Sequence, residues 1–118
     1  MIDQSEPIKR LREFALSLPE AHEVEAWGTP TFRVRGKMFA VVSTRASDSD
    51  VWLKAAPGAQ AHLTTADPER FFVPPYFGPK GWLGVHLVGA DQSEVEELVR
   101  RAYRLIAPRK LVAELDGG

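Results

Sequence analysis

Cysteine is absent from the 118 residues, which removes disulfides, thiol nucleophiles and thiolate-held zinc at once. A long apolar run is missing too. The opening stretch MIDQSEPIKRLREFALSLPE scatters charges among its apolar residues, unlike a signal peptide or a spanning helix. A cytoplasmic protein with no membrane partner is therefore expected. The histidines His22, His62 and His86 are dispersed, and HEVEA has no second histidine one turn on, as a zinc-binding H-E-x-x-H helix requires. Glu20, Glu23 and Glu25 crowd around His22, but a polar connection offers no burial to split the proton affinities of paired carboxylates. A solvated cluster is the simpler reading. No G-x-S-x-G elbow, phosphate-binding loop or dinucleotide fingerprint occurs. The expectation is a protein with no catalytic residues, no cofactor and no metal.

What is present reads as one globular domain over residues 1–118, with 44% apolar and 26% charged residues and enough chain to bury a core without staples. Ile8, Leu11, Phe14, Ala15 and Leu18 recur at helical spacing after Ser5, a candidate cap, and Pro19 stops that helix. EAHEVEAWGTP reads as a polar, turn-rich connection. Phe32 and Val34 then alternate with Arg33 and Arg35 as in a half-buried strand. RGK turns the chain into MFAVVS, and TRASDSD connects to the strand VWLKA. Pro57 to Thr65 reads as a short helix, FFV as a brief strand before a Pro-Pro break, and GWLGVHLVG as renewed alternation. Ser93 and Glu96 form a candidate capping box ahead of Val95, Leu98, Val99, Ala102, Tyr103 and Ile106 on one helical face. The predicted class is α+β, with an antiparallel sheet and the order α-β-β-β-α-β-β-α.

Four stretches, WGTPTFRVRGKMFA, the Leu53-Lys54 pair, YFGPKGW and the closing helix with Tyr103, resemble the MmcQ/YjbR family of small bacterial proteins in order and spacing across nearly the whole chain. The resemblance implies a small fold similar to frataxin-like or secretion-chaperone-like proteins, with two hairpins forming a double wing. It also implies DNA as a partner, a role suggested for the family from that shape. It brings no catalytic residues.

Charge patterning bears on that role. Trp27 to Lys54 holds Arg33, Arg35, Lys37, Arg45 and Lys54 against Asp48 and Asp50, a local net of +3 in a chain of net charge −1, leaving −4 elsewhere. If Phe32 and Val34 face the core, Arg33 and Arg35 share the opposite face, with Lys37 at the turn beside them. Arg33, Arg35, Lys37, Lys54 and, on the GPKG tip, Lys80 are the candidate phosphate contacts, and a β-ribbon is narrow enough for a major groove. A solvated strand face carries the same residues, and a pI near 6.3 is low for a nucleic-acid binder. Trp27, Trp52, Tyr76 and Trp82 offer stacking surfaces, with Trp52 on the predicted face of Lys54. Equally, Trp27 and Trp82 fit a core or its rim. His86 alternates on its strand with Trp82 and Gly84 as a sheet-face histidine. GPKG matches the G-x-x-G of KH domains, but strand flanks replace the required helices, so its glycines read as turn residues. Two function classes stay open: a DNA-binding protein using the basic double wing, or a protein or small-ligand interaction module using the exposed sheet face, with a monomer favoured in either case.

Because no ligand set has convincing spacing, a chelator is expected to leave the melting temperature unchanged. A stoichiometric transition metal in the purified protein, measured by elemental analysis, would contradict this.

Overall fold

The computed structural model describes residues 5–43 and 49–117. Six strands, β1 (His22–Ala26), β2 (Thr29–Val34), β3 (Lys37–Ser43), β4 (Asp50–Leu53), β5 (Phe71–Phe72) and β6 (Leu83–His86), pair antiparallel in the order β1-β2-β3-β4-β6-β5. Four helices accompany them: α1 (Ser5–Ser17), α2 (Ala59–Ala66), α3 (Gln92–Ile106) and α4 (Arg109–Leu115). The α+β class and the antiparallel sheet are as expected. None of the helices among the described residues is long and apolar enough to cross a membrane.

Strand alternation sorts the apolar residues into two clusters. One row across the sheet runs Phe32, Ala40, Leu53, Leu83. These side chains join Leu11, Ala15 and Leu18 of the first helical segment and Val95, Val99, Ala102 and Tyr103 of α3 in the main core. The neighbouring row, Thr31, Val41, Trp52, Gly84, lies on the opposite face. There Val41, Trp52 and Trp82 form a second cluster with Met38, Phe72 and Phe77. β3 carries one extra residue: Phe32 pairs with Ala40 but Arg33 with Met38. The bulge frees Phe39 to turn into the main core, where its ring meets Tyr103 edge-on at 5.5 Å. The Tyr103 hydroxyl donates to Pro19 O at 2.7 Å, tying α3 to the end of α1.

Four expectations change. EAHEVEA contains β1, an edge strand with nearly every side chain exposed; its order comes from backbone pairing with β2, which apolar alternation does not report. Asp91, not Ser93, caps α3, its carboxylate accepting from Ser93 N at 2.9 Å, Glu94 N at 3.4 Å and Ser93 Oγ at 2.6 Å. These bonds hold the Asp91 carboxyl below its ordinary range, and an ionised oxygen at a helix N-terminus also suits the helix dipole. α3 does not close the chain: Pro108 breaks it, and α4 follows with Leu111 buried. Trp27 is not in the core or at its rim; it sits 73% exposed at the tip of the β1–β2 hairpin. The connection at Thr44–Asp48, with Arg45 and Asp48, lies outside the described residues.

Phe32 is fully buried, so Phe32→Ala is expected to cost about 3 to 5 kcal/mol, while Trp27→Ala should stay within about 0.5 kcal/mol; denaturant titration of both checks the strand phase. Burial raises the Tyr103 hydroxyl pKa above its ordinary value. The unfolded chain therefore releases this proton first as pH climbs past about 10, and the stability tied to the protonated phenol falls through the folded pKa. Tyr103→Phe should flatten that alkaline loss, at about 1 kcal/mol near neutral pH for the missing hydrogen bond; an unchanged alkaline slope would refute the assignment.

Candidate functional site

On the face away from α1 and α3, the sheet is covered by the stretch between β5 and β6. Pro74-Pro75 ends β5, a short 3-10 turn at Gly78–Lys80 reverses the chain, and Gly81 at φ 82° leads into Trp82. The reversal is closed by Gly78 N to Pro74 O at 2.9 Å and buckled to α2 by the Gln60 amide, which donates to Gly78 O at 3.0 Å and Trp82 O at 2.6 Å. This folds Phe77 back onto the sheet. Its ring lies 4.8 Å from Trp82, 5.8 Å from Trp52 and 6.4 Å from Trp27. Gly84 makes the same cover possible on the far side, because a Cβ there would run into the Phe72 ring. Phe72 in turn stacks on His86 at 4.7 Å.

The cover is incomplete. Between it and the β1–β2 hairpin lies a groove of about 660 Å³, with Val41 and Trp52 on the sheet side and Trp27, Thr29, Ser43, Tyr76 and Phe77 around it. That volume is within the range of small-molecule sites, and the lining is similarly apolar with few polar atoms. The indole N–H of Trp52 is buried with no hydrogen-bond partner among the described residues. Of the four described non-glycine residues at positive φ, Glu20, Trp27, Arg35 and Tyr76, the two aromatics line the groove. They have φ of 54° and 67° and are 73% and 82% exposed. A left-handed backbone costs an L-residue roughly 1 to 2 kcal/mol, and exposure recovers little of it by burial. Trp27-Gly28, with φ of 54° and 73°, joins β1 to β2 as a two-residue turn with both residues at positive φ, a conformation for which Asn-Gly is the favoured sequence.

The candidate cations do not assemble into one surface. Arg33 lies on the groove face, half-buried, its Nε donating to Thr31 Oγ1 at 3.2 Å. Arg35 has left the strand for the β2–β3 turn at φ 52° and donates to both oxygens of Glu20 at 2.7 and 3.0 Å. This hydrogen-bonded pairing lowers the Glu20 carboxyl pKa and raises that of Arg35. The predicted shared face for the two arginines therefore ends at Val34, where the I′-like turn begins. Lys37 is exposed at the start of β3. Lys54 follows β4 into a separate cleft of about 320 Å³ beside Arg101 and Arg104 on the helix side, so it does not accompany Trp52. Lys80 sits with Nζ 5.8 Å from the Phe77 ring centre. Of the five, Lys80 is the one with its charge beside a ring that lines the groove.

His86 is on the sheet face, as its alternation implies, and Nδ1 lies 2.8 Å from Asp50 Oδ1. The cross-strand order is Ser43, Asp50, His86, which puts the carboxylate between hydroxyl and imidazole. A nucleophile–base relay needs the imidazole in the middle. Among the described residues, no group of three His, Asp or Glu side chains is placed to hold a metal. The sequence pointed to Trp27, Trp52, Tyr76 and Trp82 as stacking surfaces but not to Phe77, the ring that the three tryptophans share. The density of proline, glycine and aromatics in PPYFGPKGW was its signal.

The profile of the YjbR family matches residues 16–105. No curated protein matches the chain significantly. Among solved structures, the chain is similar to the Deinococcus radiodurans protein DR2400, described as a DUF419 domain: the TM-score is 0.77 at 23% identity, covering 92% of this chain and 87% of that one. The likeness extends to the fold.

Gly84→Ala tests the cover directly. The added methyl must displace the Phe72 ring, at about 1 to 3 kcal/mol, and tryptophan emission should shift red as the second cluster loosens; a variant as stable as the parent would contradict the packing.

Proposed function

The chain belongs to the YjbR family, and from that premise we propose that it is a non-catalytic binding module of the cytoplasm whose aromatic groove receives its ligand. One observation carries this reading: two large aromatics, Trp27 and Tyr76, are held exposed at positive φ on opposite banks of the same groove. Folding alone favours neither choice at either position. Strain of this kind is a pointer to function when it coincides with a cleft. The groove is also the apolar concave patch that separates an interaction module from a charge-driven binder.

Trp27→Asn separates the two roles. Asn tolerates the left-handed turn, so stability should hold or rise by up to about 1 kcal/mol, while affinity for small aromatic fragments should drop at least tenfold. A variant that is destabilised and binds normally would mean that Trp27 serves the fold.

Lys37 and Lys80, exposed and without an ion pair among the described residues, favour DNA binding as a second reading. Arg35 is engaged by Glu20, so phosphate contacts would fall to Arg33, Lys37 and Lys80. Three contacts give a slope of roughly −3 in log affinity against log salt. A titration of duplex DNA at several salt concentrations separates the readings: the groove reading predicts no binding at low salt, and the DNA reading predicts that slope, reduced by about 1 in Lys37→Gln.

A further inference from the structure

The geometry points to a planar aromatic anion, a ring bearing a carboxylate or phosphate, as the ligand of the groove; this rests on the groove being the binding site. An aromatic-walled cavity alone would serve a cation at least as well, since ring faces attract positive charge. The surrounding charges decide otherwise. Among the described residues, none that lines the groove is acidic. Glu23 and Glu25 of the adjacent strand β1 fall in register with Phe32 and Pro30, which turns them to the helix side, and Glu23 is held there by Arg12 at 2.9 Å. Asp50, in the Ser43 row, is bound to His86 at 2.8 Å.

Positive charge, by contrast, faces this side. Lys80 lies over the ring of Phe77, a wall of the groove, at 5.8 Å. A cationic ligand against that ring would be repelled by it. An anion would gain from Lys80 while its ring replaces water against Trp27 and Tyr76. The volume of about 660 Å³ accommodates a bicyclic ring with its charged substituent.

The test is calorimetric titration of the full chain at low salt with 2-naphthoate, 2-naphthalenemethanol and 2-naphthylmethylammonium, and with adenosine 5′-monophosphate against adenosine. Each anion should bind about threefold to fivefold more tightly than its neutral counterpart, as for a partly exposed charge pair, with the ammonium weakest. The ratio of anion to neutral affinity should fall to about 1 in Lys80→Gln and should shrink toward 1 M salt, where screening acts within about 3 Å. Whichever anion has the larger advantage identifies the carboxylate or the phosphate as the natural head group. If the neutral or cationic ring binds as well as the anion, the charge inference is overturned and the groove reading stands. If no ring binds at millimolar concentration, both fail.

Discussion

A sheet that is apolar on both faces must be covered on both, and this requirement organises the molecule. In β3 and β4, Val42 and Val51 face the helices while Val41 and Trp52 face the other way, and all four are buried. Two helices with long apolar stripes cover the first face. The second has only the ten residues between β5 and β6, too few to span six strands. Phe77 is the means by which so short a segment covers so much: one ring touches Trp27, Trp52 and Trp82. The groove is what that cover leaves open.

The fold's stability and the groove's chemistry draw on different residues. The main core, closed by Tyr103 reaching Pro19 and Phe39 turned in by the bulge, needs neither Trp27 nor Tyr76. Those two residues hold conformations that smaller or more permissive residues would hold at lower energy. Separating scaffold from strained rim allows the rim to be shaped for recognition without loosening the core. The charges follow the same division. Acidic side chains of β1 turn toward α1 and its arginine, and Lys80 and Arg33 remain on the groove side.

Helical spacing made α1 and α3 legible and alternation β2, because their apolar residues are sorted by burial, while β3 and β4, buried on both faces, showed as short strand-like runs between turns. β1 was not, since an edge strand with exposed glutamates owes its order to backbone hydrogen bonds with β2. The cap of α3 was displaced by two residues because Asp91 and Ser93 are both competent acceptors, and only geometry shows which oxygen meets the free amides. At the site, the aromatic residues were visible as a set, but their convergence depends on Gly84, Gln60 and the Pro74-Pro75 break acting together. The placement of the basic residues was legible only in part, for a related reason. Strand phase placed Arg33 correctly, yet Arg35 lies one residue past the strand end, in a turn where Glu20, fifteen residues earlier, receives it.

The most direct test of the account is an amide and indole correlation spectrum of the isotope-labelled protein, recorded during titration with a small aromatic anion and then with duplex DNA. The chain has three tryptophans, and all three belong to the groove or its cover. The account predicts that the indole signals of Trp27 and Trp52 move with the aromatic ligand while the amides of the Arg35-Gly36 turn and Lys37 stay in place. Movement of the turn amides with DNA, with the indoles unmoved by either ligand, would contradict it.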